Sequence, residues 1–307
     1  MHKPEYYDSF SCSAGSCPDT CCRAGWLIPL DSETFDLYRA VDAGISENTF
    51  TDPDGDRVFR LRPDRSCPYL NPDGLCALYI KTGGRLCEIC SKYPRFFEEY
   101  DGFTETGLSV SCPTAAALIL SRSDNPYRDL KRDTPDELLG FLCRARERVF
   151  EMIFSEPDPD AALQKLVFYG AELQELIDYG ELGLLSEADF SGALEPIDDL
   201  AEARRFILEN TEILSEKWRE LLKNGCEAPC GSPSERRNYL AYLVYRYFLK
   251  AVNTEDVFTE CRFIGLLYRL AASIGCGYAE AVKLVSREIE HDSENVEALL
   301  GYLSQTE

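Results

Sequence analysis

Fourteen cysteines and two histidines, His2 and His291, carry most of the chemistry available to this 307-residue chain. Nine of the cysteines lie at or before Cys112, in three blocks. The first block is Cys12-x4-Cys17-x3-Cys21-Cys22, followed by Gly25-Trp26. The second is Cys67-Pro-Tyr-Leu-Asn-Pro-Asp-Gly-Leu-Cys76. The third is Cys87-x2-Cys90 leading into Tyr93-Pro94-Arg95, with Cys112 beyond it. A Cys-x2-Cys step lets one turn of backbone aim two sulfurs at one ion, and sulfurs from elsewhere complete the shell. With histidine so scarce the site must be all sulfur, and soft thiolates select zinc or an iron–sulfur cluster. Spacing serves both equally. Nine sulfurs also exceed the four that one such centre needs, so either there are two centres or some of these cysteines are structural.

The compartment decides how such a pattern is read. The start, Met1-His-Lys-Pro-Glu-Tyr-Tyr-Asp, has no apolar core of a secretory signal. No run of ~18 apolar residues is present to span a membrane. A cytoplasmic location is therefore expected, where thiols stay reduced and a cysteine pattern reads as metal binding before disulfides. The remaining cysteines are scattered over the rest of the chain, and Cys143 and Cys261 are expected to be small buried apolar residues.

The elements that must position the sulfurs differ along the chain. Up to Cys112 the sequence is rich in turn signals (Asp52-Pro-Asp-Gly-Asp56, Asn71-Pro-Asp-Gly74, Gly83-Gly84), and Asp31 caps one short helix carrying Phe35 and Tyr38. Periodic helix patterns are short there, so such a segment is expected to struggle to build a core unaided, and a bound centre would supply the missing cross-links. From Pro113, which suits a first helical turn, the texture becomes helical. Apolar periodicity predicts helices over 136–154, 160–179, 196–223, 235–252, 256–273 and 278–290, with a last one near 293–303. No alternation of strand and helix indicates a doubly wound sheet. The expected fold is mainly α: an irregular cysteine-rich metal- or cluster-binding region, 1–124, followed by a helical region, 125–307.

Charge narrows the partners. With 54 acidic residues against 32 basic, a net charge of −22 repels a phosphate backbone, so nucleic acid is not an expected partner. The same field attracts lysine-rich surfaces, although its simplest consequence is solubility.

The ordered blocks Phe-x-Cys…Cys…Cys-Cys-x-x-Gly-Trp, Cys-Pro-Tyr-Leu-Asn-x-Asp-Gly-Leu-Cys-x-Leu-Tyr and Leu-Cys-x-x-Cys-x-x-Tyr-Pro-Arg resemble those of the flagellin lysine-N-methylase family. That family is akin to a wider group of zinc- or iron-chelating cysteine-cluster proteins. The likeness continues through Glu105–Pro113 and returns at Asn238–Leu249 and Ser286–Asn295. The resemblance implies methyl transfer from S-adenosylmethionine to lysine side chains of flagellin or another lysine-bearing protein. It also implies a [4Fe–4S] cluster (zinc being the alternative) on the cysteine blocks, with Cys12, Cys17, Cys21, Cys22, Cys67, Cys76, Cys87, Cys90 and Cys112 as the candidate ligands. The competing class is a non-catalytic zinc- or iron-binding, redox-sensing interaction protein.

Two common donor-binding signatures are missing. Gly275-Cys-Gly277 follows a helical pattern and no strand, so it reads as a helix end rather than a dinucleotide turn. Cys17-x3-Cys21 begins a radical-type Cys-x3-Cys-x2-Cys motif, but no third cysteine falls in place. Aromatic residues beside the cysteines are the candidate walls of a donor pocket: Trp26 and Tyr93 above all, with Tyr69 and Tyr79, weighed against plain core packing. Arg95 is a candidate clamp for a carboxylate, or a partner of Glu98 or Glu99. His291 is expected to favour a helix C-terminus, sharing a face with Arg287, ahead of any catalytic role. Glu105 and Ser109 are candidates for orienting a thiolate.

Overall fold

The computed structural model describes residues 1–128, 132–197, 199–226 and 229–305, and it is mainly helical. The cysteine-rich portion comprises short pieces. Asp31 caps α1 (Ser32–Val41), its carboxylate accepting the Thr34 amide at 2.7 Å. Strands β1 (Thr49–Thr51) and β2 (Arg57–Phe59) form a hairpin around Asp52–Asp56, as the turn signal there anticipates. The one-turn helices α2 (Ala77–Lys81) and α3 (Glu88–Lys92) follow Cys76 and Cys87 directly. Leu30, Tyr38, Ile45, Phe59, Tyr69, Leu78 and Cys87 bury one another in a small core.

A second hairpin, β3 (Arg95–Tyr100) with β4 (Phe103–Leu108), turns at Asp101-Gly102, where Gly102 takes φ +91°. Two-residue turns of this kind need the left-handed region that glycine enters freely. Next, α4 (Pro113–Leu120) starts at Pro113 as expected. The larger core takes in residues of β4 and α4 and of the helices C-terminal to them, and it also draws in Tyr6.

The long helices are α5 (Glu137–Ser155), α6 (Pro159–Asp178), α7 (Leu200–Asn210), α8 (Glu216–Asn224), α9 (Pro233–Tyr247), α10 (Val257–Ser273), α11 (Tyr278–Val285) and α12 (Ser293–Gln305). Helix α10 is buried on nearly every side and packs against α6, α9, α11 and α12. That placement explains its apolar run from Phe263 to Ala272. Asn238 and the tyrosines of α9 are likewise buried.

Two departures from the periodicity have physical causes. The stretch 196–223 is not one helix but α7 and α8, divided at 211–215. There the Glu288 carboxylate accepts the Leu214 amide (2.8 Å) and the Ser215 hydroxyl, while Asn295 accepts the Glu212 amide (2.7 Å). Tertiary acceptors thus take amides that a helix would have used. The stretch 278–290 is helical, but its last turn, Ser286–Glu290, is wound as a π-helix. Among the described residues no helix is long and apolar enough to cross a membrane.

Candidate metal centre and adjoining cleft

Five of the nine predicted ligands are held by local contacts. Thr20 accepts the Cys22 amide (3.3 Å) and fixes the turn Cys21–Arg23. The Cys67 amide donates to the Cys22 carbonyl (2.8 Å), and the Cys87 amide to the Tyr38 hydroxyl (2.7 Å). Cys76, Cys87 and Cys112 each immediately precede a helix, and the amides of Leu78 and Tyr79 act on Cys76 as those of Thr114 and Ala115 act on Cys112. Amides aimed at a sulfur favour its thiolate.

The nine sulfurs fall into two sets. Cys12, Cys17, Cys21 and Cys112 act on one another electrostatically. In the other set, Cys22 and Cys67 act on each other, as do Cys87 and Cys90, and both Cys22 and Cys87 act on Cys76. The chain neighbours Cys21 and Cys22, which act on each other, join the sets. Cys22 is pulled down to about 3 by the thiols of Cys21 and Cys67 that donate to it. Cys87 is lowered by Cys90 in the same way, and the donors Cys21, Cys67 and Cys90 are pushed up. Burial raises Cys76 and Cys112.

No cysteine is in a disulfide. Among the described residues no three or more Cys, His, Asp or Glu side chains are arranged as they would be around a metal ion. The donor chemistry nevertheless suits a soft metal: the thiols are reduced and grouped, and neighbouring thiols lower Cys22 and Cys87 towards the thiolate that binds such a metal.

Beside these sulfurs opens a cleft of about 680 Å³. Trp26, four residues after Cys22, and Ile89, between Cys87 and Cys90, form part of its wall, and Tyr93, Arg287, His291 and Asp292 form another. The Trp26 ring lies 4.4 Å from that of His291 and 5.5 Å from that of Tyr93, centroid to centroid. Trp26 and Tyr93, expected to flank a donor pocket, thus both line this cleft.

Arg95 does not line it. Its guanidinium lies over the rings of Tyr7 and Phe10, at 5.6 and 5.2 Å, and not against Glu98 or Glu99. Tyr69 is buried in the small core and bonds Asp42, while Tyr79 is exposed. Glu105 points away from the sulfurs, pairing with Arg132 and, at 2.6 Å, with Arg146 of α5. On a strand the four-residue step to Ser109 does not join the two residues on one helical face.

His291 is not a cation at a helix end. Burial, with Arg246 and Arg287 nearby, pushes it down to about 3, so the ring is neutral. Its Nε2 lies 2.7 Å from Ser111 Oγ and 3.1 Å from Ser109 Oγ, and Ser111 Oγ lies 3.0 Å from the Tyr93 hydroxyl.

Sequence reasoning passed over Asp19. It sits between Cys17 and Cys21, and it is gripped by Lys283 of α11 and by Arg287 of the π-turn, the latter at 2.8 Å. Arg287 also donates to the Ser111 carbonyl at 3.1 Å. One arginine therefore ties the first cysteine block to the Cys112 block and to the cleft. An acidic residue inside a cysteine block was the available signal.

Over 136 residues the chain is 31% identical to the flagellar biosynthetic protein FliU of Salmonella muenchen, an alignment covering 40% of this chain and 78% of that protein. The chain belongs to the flagellin lysine-N-methylase family. It is also 31% identical to the lysine-N-methylase of Salmonella typhimurium and 30% identical to that of Salmonella choleraesuis, again over 136 residues and 40% of this chain. It spans about a third of the length of those two lysine-N-methylases, 33% of each. No family model matches this family member, and no solved structure matches it.

Proposed function

We propose that the chain is a protein-lysine N-methyltransferase that takes its methyl group from S-adenosylmethionine, acts on flagellin lysines, and carries a cysteine-bound iron–sulfur centre beside the cleft. One observation carries this reading: a chain akin to lysine-N-methylases has an aromatic-walled cleft next to its cysteine blocks.

The cleft residues suit the chemistry. Trp26 and Tyr93 offer ring faces for the donor's cationic sulfonium and its flat base. The wall also carries Asp292 and Glu212, carboxylates able to take the lysine's proton, and Arg60, Arg65 and Arg287, which suit the donor's own carboxylate. Once the amine has given its proton to a carboxylate or water, its lone pair attacks the methyl carbon. The N–C bond forms as the C–S bond breaks, and sulfur keeps the electron pair. Neutral His291, bridged through Ser111 to Tyr93, holds the far wall rigid. The cysteine sulfurs would hold the centre, whose role is redox or structural chemistry. Localisation in the cytoplasm, where flagellin is made, belongs to the same proposal.

The test is methyl-labelled S-adenosylmethionine with purified flagellin and anaerobically prepared protein. Label on flagellin lysines, lost in Cys87→Ser and Cys90→Ser, is the expected result. Absence of label from flagellin and from every protein of a cell extract, with the metal content intact, would transfer the assignment to a non-catalytic metal-binding protein.

A further inference from the structure

A second sulfur group lies far along the chain from the nine. Cys226 Sγ and Cys230 Sγ are 3.7 Å apart, and Cys276 acts electrostatically on Cys226 and feels Cys230 in turn. All three are half-buried, unlike Cys143 and Cys261, which the core encloses. The pair is held in place by backbone: the Cys226 amide donates to the Ser273 carbonyl (2.6 Å) and the Cys230 amide to the Ala272 carbonyl (2.7 Å). Two consecutive carbonyls at the end of α10 therefore fix both ends of one short loop. Burial and the neighbouring Cys230 push the Cys226 thiol up, and Arg204, which donates to the same Ser273 carbonyl (3.3 Å), opposes that rise with its positive charge.

The geometry points to Cys226 and Cys230 as a dithiol site that exchanges with low-molecular-weight disulfides of the glutathione class. A disulfide has sulfurs about 2.05 Å apart, and these two start from near van der Waals contact. One of the two thiols, as thiolate, attacks a sulfur of the small disulfide, forming a mixed disulfide and releasing one small thiolate. The other then attacks the protein sulfur of that mixed disulfide and expels the second small thiolate. Two protein thiols and one disulfide become one protein disulfide and two small thiols. The crosslink would join Cys226 to Cys230 beside the end of α10, where their amides are already held, and Gly231 just beyond packs on Tyr278, the first residue of α11. Helix α11 in turn carries Lys283, which grips Asp19 inside the first cysteine block.

The experiment treats the full chain with oxidised glutathione under anaerobic conditions, alkylates the remaining thiols, digests it and maps every cysteine by mass. The expected product is a peptide linking Cys226 to Cys230, lighter by two hydrogen atoms and restored by a dithiol reductant. Cys230→Ser should leave a lasting glutathione adduct on Cys226, and Cys276→Ser should leave the crosslink intact. Alkylation of both thiols, a crosslink to Cys276, a stable adduct on the unsubstituted pair, or protection from alkylation without a crosslink would each overturn the assignment.

Discussion

His291 and Glu260 are buried in opposite protonation senses, and each makes a pH-dependent contribution that single substitutions isolate. His291 is held down to about 3 by burial and by Arg246 and Arg287, against an ordinary 6.5. Below about pH 6.5 the unfolded chain takes up a proton that the native imidazole refuses, so stability is lost as pH falls, by up to about 1.4 kcal/mol per pH unit. His291→Gln should remove that part of the acid-side slope in urea titrations between pH 5 and 7; an unchanged slope would refute it. Glu260 is pushed up to about 8 by burial, with Asp256 adding to the rise and Lys250 opposing it. The native carboxyl keeps a proton that the unfolded chain sheds, so its contribution is present below about pH 4.5 and lost as pH climbs towards 8. Glu260→Gln should therefore stabilise the fold progressively as pH rises from 5 to 8, by up to about 1.4 kcal/mol per pH unit, measured by the same titrations. At the cleft, Trp26→Ala removes a stacking face and should weaken S-adenosylmethionine binding about tenfold, some 1.4 kcal/mol, in calorimetry. Its metal content should stay unchanged.

The elements were legible where local rules act alone. The Asp31 cap, the turn at Asp52–Asp56, the start at Pro113 and the buried helices α9 and α10 follow from capping chemistry and apolar period. What the pattern hid depends on distant partners. The hairpin β3–β4 lies in a stretch dominated by cysteine blocks, with Arg95, Phe96 and Phe97 side by side, so alternation is masked. The break between α7 and α8 is imposed by Glu288 and Asn295 from beyond α11. The site divides in the same way: Trp26 and Tyr93 were legible as aromatic neighbours of cysteines. Asp19, Ser111 and Arg287 were not, because their roles exist only after residues about 180 and 270 apart come together. Helix α9 offers a test at this scale. Ser232 and Glu235 form a reciprocal cap at its start, each satisfying an amide of the other. Ser232→Ala should cost about 1 kcal/mol and lower the melting temperature by about 2 °C, with the metal content unaffected.

Across the whole molecule, a large helical core and a small aromatic one meet through the cysteine blocks, and Arg287, Lys283 and Asp19 brace that junction. Because the small core buries few side chains, a centre bound by its sulfurs would contribute directly to its stability. Stripping the metal with a chelator should accordingly loosen residues 12–112 first, seen as faster amide exchange there than in α10. The account stands or falls on an inorganic centre among those sulfurs. Iron, zinc and acid-labile sulfide should be assayed in protein purified without oxygen, together with its absorption spectrum. The account predicts brown protein with a broad absorption shoulder, stoichiometric iron and sulfide, both lost when Cys22 and Cys87 are replaced by serine. Zinc alone would change the identity of the centre, and colourless protein holding neither metal, with all nine thiols open to titration, would contradict it.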